Sequence, residues 1–358
     1  MKLYKKLVKL ANEINKPCVT ISLNTHRTHP DRDKDKIVLK NLLVESEKRV
    51  IHEYGKKAVS KLLNKISQVE NIIDFSYNLD SLHIFISNST LEIIRLAWPT
   101  TADRIYISEV FDVRTIIKAV NRVEDYLIIL LSQGGVNLYH AMNECIVEEI
   151  KNEDFPFEAT PYYAANGPER SNAKLMDDLI REYFNKVDKA LVKVCHEKEM
   201  GCIVISTEDN FVFLKEVADN PEVYLGHAAI DYNKTKPHQL ILQAWEIIQK
   251  RQQERRLQAI SEVKDAVGES KVVTDLSEIY RAATEGRGDL LIVRDDYTQA
   301  VNINKDNNLE IVDEPDKANV DDVTSNIAWQ IISKGGRVFF TCQDDIKELG
   351  DIVLKTRY

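Results

Sequence analysis

The sequence lacks any hydrophobic run long enough to cross a bilayer. A membrane-spanning helix needs about 18 consecutive apolar residues, and no run in the chain approaches that length. Residues 1–16 scatter lysine through an amphipathic pattern, which is unlike the basic tip and apolar core of a signal peptide. These absences predict a mature, soluble, cytoplasmic protein with no membrane partner.

Cysteine, glycine and proline are also scarce. The five cysteines are odd in number and no two have CxxC spacing, so neither a disulfide framework nor a zinc site is predicted. The 12 Gly and 9 Pro exclude collagen-like and low-complexity character. Because glycine-rich phosphate loops, nucleotide fingerprints and HExxH or GxSxG motifs are missing as well, we expect no cofactor and no metal.

What the chain has is an ordinary core and an uneven charge. Of 358 residues, 44% are hydrophobic and 29% charged, which suits a folded protein of two or three domains. Residues 1–123 contain 21 Lys and Arg against 14 Asp and Glu, whereas residues 124–260 contain 15 against 23 and residues 261–358 contain 12 against 20. One basic third is thus joined to two acidic thirds, each of which is expected to meet different partners.

Hydrophobic periodicity divides the chain in the same way. Helical patterns alternate with short apolar strands, such as Cys18–Leu23 and Leu290–Val293, throughout the sequence. This alternation predicts an α/β protein with helices that cover the sheets. We expect three α/β domains, which would comprise residues 1–122, 123–258 and 259–358.

Three segments in this order resemble the bacterial branch of the archaeo-eukaryotic peptide-chain release factor and Pelota superfamily. They are KPCVTISLNTHRTHP at residues 16–30 with LKNLL at 39–43, LLSQGGVNLY at 130–139, and AATEGRGDLLIV at 282–293 with IISKGGRV at 331–338. Each is weak alone, but together they span essentially the whole chain in the family's order. The resemblance implies a basic N-terminal domain, an RNase H-like central domain and an L7Ae-like C-terminal α/β sandwich.

The same resemblance implies a role in translation. Members occupy a tRNA-sized space on the ribosome, and their C-terminal domain meets a translational GTPase. Release factors of the superfamily hydrolyse peptidyl-tRNA with a Gly-Gly-Gln loop before the long central helix. Here the corresponding loop contains Gly167, Pro168, Glu169 and Arg170. Because this loop has no Gly-Gly-Gln and proline removes a backbone donor, we expect no peptide release, as in the Pelota type.

The polar loop at residues 25–36 is the strongest candidate for contact with ribosomal RNA. Its basic side chains could bind phosphates, and the predicted contact residues are His26, Arg27, His29, Arg32, Lys34 and Lys36. The alternative is a solvated loop in which an aspartate caps the next helix. The His26-x-x-His29 pair has no further ligand nearby in sequence, so a metal site is not expected there.

A second candidate is the turn before the strand Leu290–Val293. It consists of Gly286, Arg287, Gly288 and Asp289, and it could form a docking corner for a protein partner. Glycines at such a place could equally serve the turn alone.

These features favour a non-catalytic tRNA mimic that occupies the ribosomal tRNA site in ribosome rescue or hibernation. Its expected partners are ribosomal RNA and a translational GTPase, with no DNA. One alternative is an enzyme that cleaves RNA or peptidyl-tRNA, which would need clustered carboxylates, yet Asp125, Glu144 and Asp209 are scattered. Another is a ribosome-independent adaptor in stress or defence.

Overall fold

The computed structural model describes residues 2–159, 173–229, 237–304, 309–312, 320–342 and 344–358. The chain forms two compact units. The terminal unit is built from residues 1–122 and 256–358, and the central unit from residues 123–255. The first and third predicted regions therefore lie in the same unit. The predicted α/β class is confirmed, because helices and strands alternate through both units.

The described helices are α1 Lys2–Ala11, α2 Asp31–Tyr54, α3 Ser60–Ile72, α4 Arg114–Arg122, α5 Ala173–Lys198, α6 Glu208–Val217, α7 Pro237–Val267, α8 Leu276–Thr284 and α9 Val323–Ser333. The described strands are β1 Ile14–Asn24, β2 Ser81–Ile86, β3 Leu91–Leu96, β4 Arg104–Val110, β5 Asp125–Ser132, β6 Gly135–Met142, β7 Cys145–Ile150, β8 Cys202–Ser206, β9 Tyr224–Ala229, β10 Val272–Val273, β11 Gly288–Arg294, β12 Val301–Ile303, β13 Leu309–Ile311, β14 Arg337–Thr341 and β15 Ile352–Thr356.

The N-terminal sheet has the order β3-β2-β1-β4, and all its neighbours are antiparallel. Side chains alternate along β1, as they must in a strand. Val19, Ile21 and Leu23 join the hydrophobic cluster formed with α2 and α3. The intervening Thr20 and Ser22 lie on the opposite face, where they are equally buried.

Residues from the C-terminal part of the chain cover that opposite face. A single hydrophobic cluster contains Phe85 and Tyr106 of the N-terminal sheet together with Trp329 and Leu354. An antiparallel strand with a polar face would ordinarily turn that face to water. Here the polar face is buried, so its hydroxyl and charged groups need partners within the protein.

A buried arginine, a half-buried arginine and two buried carboxylates connect these layers. Arg104 Nη2 lies 2.6 Å from Asp112 Oδ2, and Arg114 Nη1 lies 3.4 Å from Asp322 Oδ2. Arg114 also donates to Thr324 Oγ1 at 2.7 Å and to the carbonyl oxygen of Arg294 at 2.8 Å. A guanidinium buried in this way is stable only because its donors are satisfied.

The two carboxylates of this cluster respond differently to their surroundings. Burial acts to raise the pKa of Asp112, but the Arg104 charge and the Arg114 backbone N–H hold it below its usual value. Burial raises the pKa of Asp322, and Arg114 offsets only part of that effect. Asp112 is therefore the carboxylate that carries the negative charge most firmly.

The C-terminal sheet has the order β10-β15-β11-β14, in which β11 and β14 are parallel and β15 is antiparallel to β11. Helices α8 and α9 contribute to the cluster on one face. Ala259, Ile260 and Val263 from the end of α7 pack on the other face. Strands β12 and β13 form a separate antiparallel pair.

Each parallel strand of this sheet follows a helix that ends in a glycine turn. After α8, Gly286 has φ +76° and its N–H donates to Ala283, while the N–H of Arg287 donates to Ala282. After α9, Gly335 has φ +78° and Gly336 donates to Ile331. Both are Schellman motifs, which satisfy the last carbonyls of a helix.

The central unit is a five-stranded sheet in the order β7-β6-β5-β8-β9. The first three strands are antiparallel to one another, whereas β5, β8 and β9 are parallel. Leu127 and Ile129 of β5 face the cluster with α5 and α6, and Tyr126 and Ile128 face the cluster with α7. Burial on both faces explains the continuous apolar run of β5.

None of the helices in the described residues is both long enough and apolar enough to cross a membrane.

Substitution at the second Schellman motif should separate backbone strain from steric exclusion. Gly335→Ala should cost about 1 kcal/mol of unfolding free energy, because its positive φ disfavours a side chain but no atom lies closer than 3.9 Å to the added Cβ. Gly336→Ala should cost more, about 2–3 kcal/mol, since its Cβ would meet Ile331 Cγ2 at 2.5 Å. Chemical denaturation followed by circular dichroism measures both, and equal losses would contradict the packing described here.

Removal of the Arg114 charge should destabilise the terminal unit far more than removal of a peripheral one. Arg114→Met leaves Asp322 buried without its closest cation, which should cost about 3–5 kcal/mol. The control is Lys16→Gln, because Lys16 pairs with Glu109 where both side chains are more than half exposed, and it should lose less than about 1 kcal/mol. Denaturation midpoints provide the comparison. A small loss of unfolding free energy in Arg114→Met would argue against a stabilising role for this cluster.

Candidate nucleic-acid interface

The six residues predicted to contact RNA lie in the segment 25–36, which leaves β1 and enters α2. The backbone N–H of Thr25 donates to the carbonyl of Asp80 at 3.0 Å, and its hydroxyl donates to the carbonyl of Leu79 at 2.8 Å. The predicted polar loop is shorter than expected, because α2 already begins at Asp31. Asp31 and Asp33 in the first helical turn favour this early start through the helix dipole.

The conformation of the segment depends on Asp35, whose side chain is only 3% exposed. Its carboxylate accepts from the backbone N–H of His26 at 2.7 Å, lies 2.8 Å from His26 Nδ1, and accepts from Asn78 Nδ2 at 3.2 Å. The hydrogen bond with Asp35 raises the pKa of His26. A buried carboxylate with three partners therefore fixes the loop to the sheet.

Most of the predicted cations already have an anionic partner. Arg27 forms a two-pronged pair with Asp80, with distances of 2.8 and 2.9 Å. Lys34 lies 2.8 Å from Asp31. His29 lies 3.0 Å from Asp33, and Lys36 lies 3.8 Å from the same carboxylate. Such exposed pairs are weak and can exchange partners, but they reduce the attraction of the segment for phosphate.

Charge counting leads to the same result. The Lys and Arg residues of the segment are Arg27, Arg32, Lys34 and Lys36, and the carboxylates that lie in it or pair with it are Asp31, Asp33, Asp35 and Asp80. With neutral histidines, the segment and its partner Asp80 together carry no net charge. The positive charge of residues 1–123 therefore lies elsewhere on the domain.

Arg32 differs from the other predicted residues. Its side chain forms no ion pair with any residue that the structure describes, and it lines a groove of about 330 Å³ together with Lys36 and residues 71–76. Lys36 Nζ lies 5.9 Å from the centre of the Phe75 ring. Two cations thus border a concave surface that has an aromatic ring in its wall.

An exposed tyrosine at this place was missed by the sequence analysis. Tyr77 ends the short 3₁₀ helix Phe75–Tyr77 and is 73% exposed, and Ile72, five residues earlier, is 53% exposed. Exposed aromatic rings next to cations are the platforms on which single-stranded nucleic acids stack. The signal was available in the sequence, where Tyr77 stands among the turn-forming residues Ser76 and Asn78.

The predicted central-domain loop, with Gly167, Pro168, Glu169 and Arg170, lies outside the described residues. Its role stays a prediction.

The predicted docking turn, Gly286 to Asp289, has a clear structural purpose. Gly286 and Arg287 complete the Schellman motif of α8, and Arg287 Nε donates to Glu285 at 2.7 Å. Gly288 allows close packing, because a Cβ there would meet Ile331 Cγ1 at 3.1 Å. Asp289 pairs with Lys355 at 2.9 Å. These contacts account for the turn, and partner docking there stays a prediction.

Polar groups of the central unit are paired with one another. Asp125 Oδ1 lies 3.0 Å from His140 Nε2. Ser206 Oγ lies 3.0 Å from His227 Nε2, but Ser206 is fully buried and its hydroxyl donates to the carbonyl of Thr207. A serine in this state is not placed to attack a substrate. Among the described residues, no group of three or more His, Cys, Asp or Glu side chains is arranged to hold a metal ion.

Comparison with known proteins finds a family similarity in the central part. Residues 125–287, just under half of the chain, match the model of the bacterial archaeo-eukaryotic release factor family 3. The match confirms the predicted resemblance to the bacterial branch of this superfamily. It extends from the start of β5 to the Schellman turn after α8. No curated protein matches the chain.

Solved structures with detectable similarity include three Pelota-type proteins. A model of ribosome-bound archaeal Pelota and ABCE1 is 15% identical, with a TM-score of 0.42, and the alignment covers 78% of this chain and 72% of that one. Archaeoglobus fulgidus Pelota is 18% identical, with a TM-score of 0.34 and coverage of 77% and 79%. Saccharomyces cerevisiae Dom34 is 11% identical, with a TM-score of 0.39 and coverage of 82% and 77%. At these scores the likenesses carry no functional argument.

The His26–Asp35 contact predicts a pH-dependent loop. Since the folded-state pKa of His26 is raised, the stabilisation by charged His26 is fully present below about pH 6.5 and is lost as the pH rises through the raised value. NMR titration of the His26 ring should show a pKa above that of a free histidine in the wild type. In Asp35→Asn the value should fall back toward the free one, while His52 serves as the internal control. An unchanged His26 titration in the variant would refute the contact.

Proposed function

We propose that this protein is a non-catalytic translation factor that occupies the tRNA site of the ribosome during rescue or hibernation. The observation that carries the proposal is the match of residues 125–287 to a bacterial release factor family. Ribosomal RNA is the expected partner of the N-terminal domain, with a translational GTPase as a further partner, and the cytoplasm is the compartment in which both would be met.

The groove beside α2 supports the RNA contact better than the paired loop does. Arg32 can approach a phosphate without leaving a described ion pair, Lys36 has only the long 3.8 Å pair with Asp33, and Tyr77 offers a ring for an unpaired base. Arg27 and Lys34 would first have to leave Asp80 and Asp31. We therefore infer that the groove lined by Arg32, Lys36 and residues 71–76, together with the exposed Tyr77 that follows them in the chain, makes the main contact.

The lack of a Gly-Gly-Gln sequence supports occupancy without peptide release. Release requires a water that is positioned at the ester by close backbone approach. The central sheet order β7-β6-β5-β8-β9, with three antiparallel strands followed by two parallel ones, supports an RNase H-like domain. The C-terminal sheet with its helices supports the proposed L7Ae-like module.

Sedimentation with empty and translating 70S ribosomes tests the proposal. Wild-type protein should co-sediment in a salt-sensitive manner, because phosphate contacts release counterions. Arg32→Glu/Lys36→Glu should weaken binding by about tenfold or more, which corresponds to the loss of about two phosphate contacts. Tyr77→Ala should weaken binding with little change in its salt dependence, since stacking is not ionic.

The matched control is Lys56→Glu/Lys57→Glu. It makes the same change in charge on two exposed lysines at the start of the α2–α3 connection, and it should leave binding within about threefold of wild type because generic attraction is weak at physiological salt. Equal losses of ribosome binding in both double variants would show that binding depends on the net charge of the protein and not on this groove. Failure of the wild type to bind either ribosome state would favour the ribosome-independent adaptor.

A further inference from the structure

A small polar cavity lies in the terminal unit, where the N-terminal sheet and α4 meet the segment after β11. Its volume is about 70 Å³. Four basic side chains line it, and all belong to β4 or α4: Arg104, Arg114, Lys118 and Arg122. The cavity is separate from the groove proposed to contact RNA.

The charges of the lining are incompletely balanced. The described ion pairs of these cations involve Asp112, Asp322 and Asp295. Asp295 is shared, because it lies 2.8 Å from Lys118 Nζ and 3.8 Å from Arg122 Nη2. Among the residues that line the cavity, four are basic and one, Asp295, is a carboxylate, and like charges held this close repel one another.

One buried donor of the lining has no acceptor among the described residues. The Nε–H of Arg104 is buried and donates to no acceptor in the part of the chain that the structure describes. Thr100, Thr101 and Thr298 also line the cavity. His83 at its edge is buried, and burial lowers its pKa to about 4, so it adds no charge at neutral pH.

We propose that this cavity binds a phosphate group. A tetrahedral oxyanion presents only acceptors, which matches a lining of guanidinium, ammonium and hydroxyl donors. The volume corresponds to about two water molecules at about 30 Å³ each, so it admits one phosphate group and excludes a whole nucleotide. A metal cation would be repelled by the same four side chains.

The phosphate could be free orthophosphate or the terminal phosphate of an RNA chain. Isothermal titration calorimetry of the full-length protein distinguishes these sources with three probes: inorganic phosphate, a 5′-phosphorylated tetraribonucleotide and the same tetranucleotide with a 5′-hydroxyl. Ionic strength is held constant with chloride. Binding of either phosphate-bearing probe, with no binding of the hydroxyl form, is the expected result.

Lys118→Gln should weaken that binding by at least about tenfold, because it removes one charge-assisted hydrogen bond. Arg122→Gln is the second variant, and its 33% exposure makes misfolding a minor concern. Lys61→Gln, on the exposed face of α3, is the matched control and should bind as the wild type does. The proposal is overturned if no probe binds at millimolar concentration, or if the folded Lys118→Gln and Arg122→Gln proteins bind phosphate as tightly as the control.

Discussion

The terminal unit depends on one constraint: a polar sheet face that is buried must find all its hydrogen-bond partners inside the protein. On β1, Thr20 Oγ1 accepts from the backbone N–H of Asp112 and Ser22 Oγ lies 2.9 Å from His83 Nδ1. Arg114 of α4 bonds the C-terminal residues Asp322 and Thr324. Val113 extends the contact, since its N–H donates to Ser325 Oγ at 2.9 Å. Apolar contacts alone would allow the N-terminal and C-terminal parts of this unit to shift against each other. Directional hydrogen bonds from a planar guanidinium specify a single arrangement of the two parts.

Sequence periodicity predicted the α/β class and most of the elements, because strands such as β1, β5 and β11 alternate or are uniformly apolar. It did not predict that residues 1–122 and 256–358 share a core. The alternation in β1 is the reason, because polar and apolar residues alternate in the same way whether the Thr and Ser side chains face water or are buried. Strand β4 and helix α4 were missed as well, since their charged residues Arg104 and Arg114 conceal a buried environment.

The candidate interface shows the same limit at the level of single side chains. The basic residues of the segment 25–36 were visible in the sequence, but the pairing of Arg27 with Asp80, 53 residues away, was not. Pairing between distant segments depends on the fold, and it determines which basic side chains are available to bind phosphate. Arg32 and Tyr77 emerge only because the structure places residues 71–77 beside the start of α2.

The discontinuous terminal unit also has a consequence for biosynthesis. A ribosome makes the chain from its N-terminus, so the N-terminal sheet leaves the exit tunnel more than 200 residues before Asp322 and Thr324 do. The central unit, which is continuous in sequence, can complete its own core in that interval. During synthesis the polar face of β1 must therefore remain in water, where its serine and threonine hydroxyls can hydrogen-bond to solvent. A fully apolar face would expose an aggregation-prone hydrophobic surface for the same period.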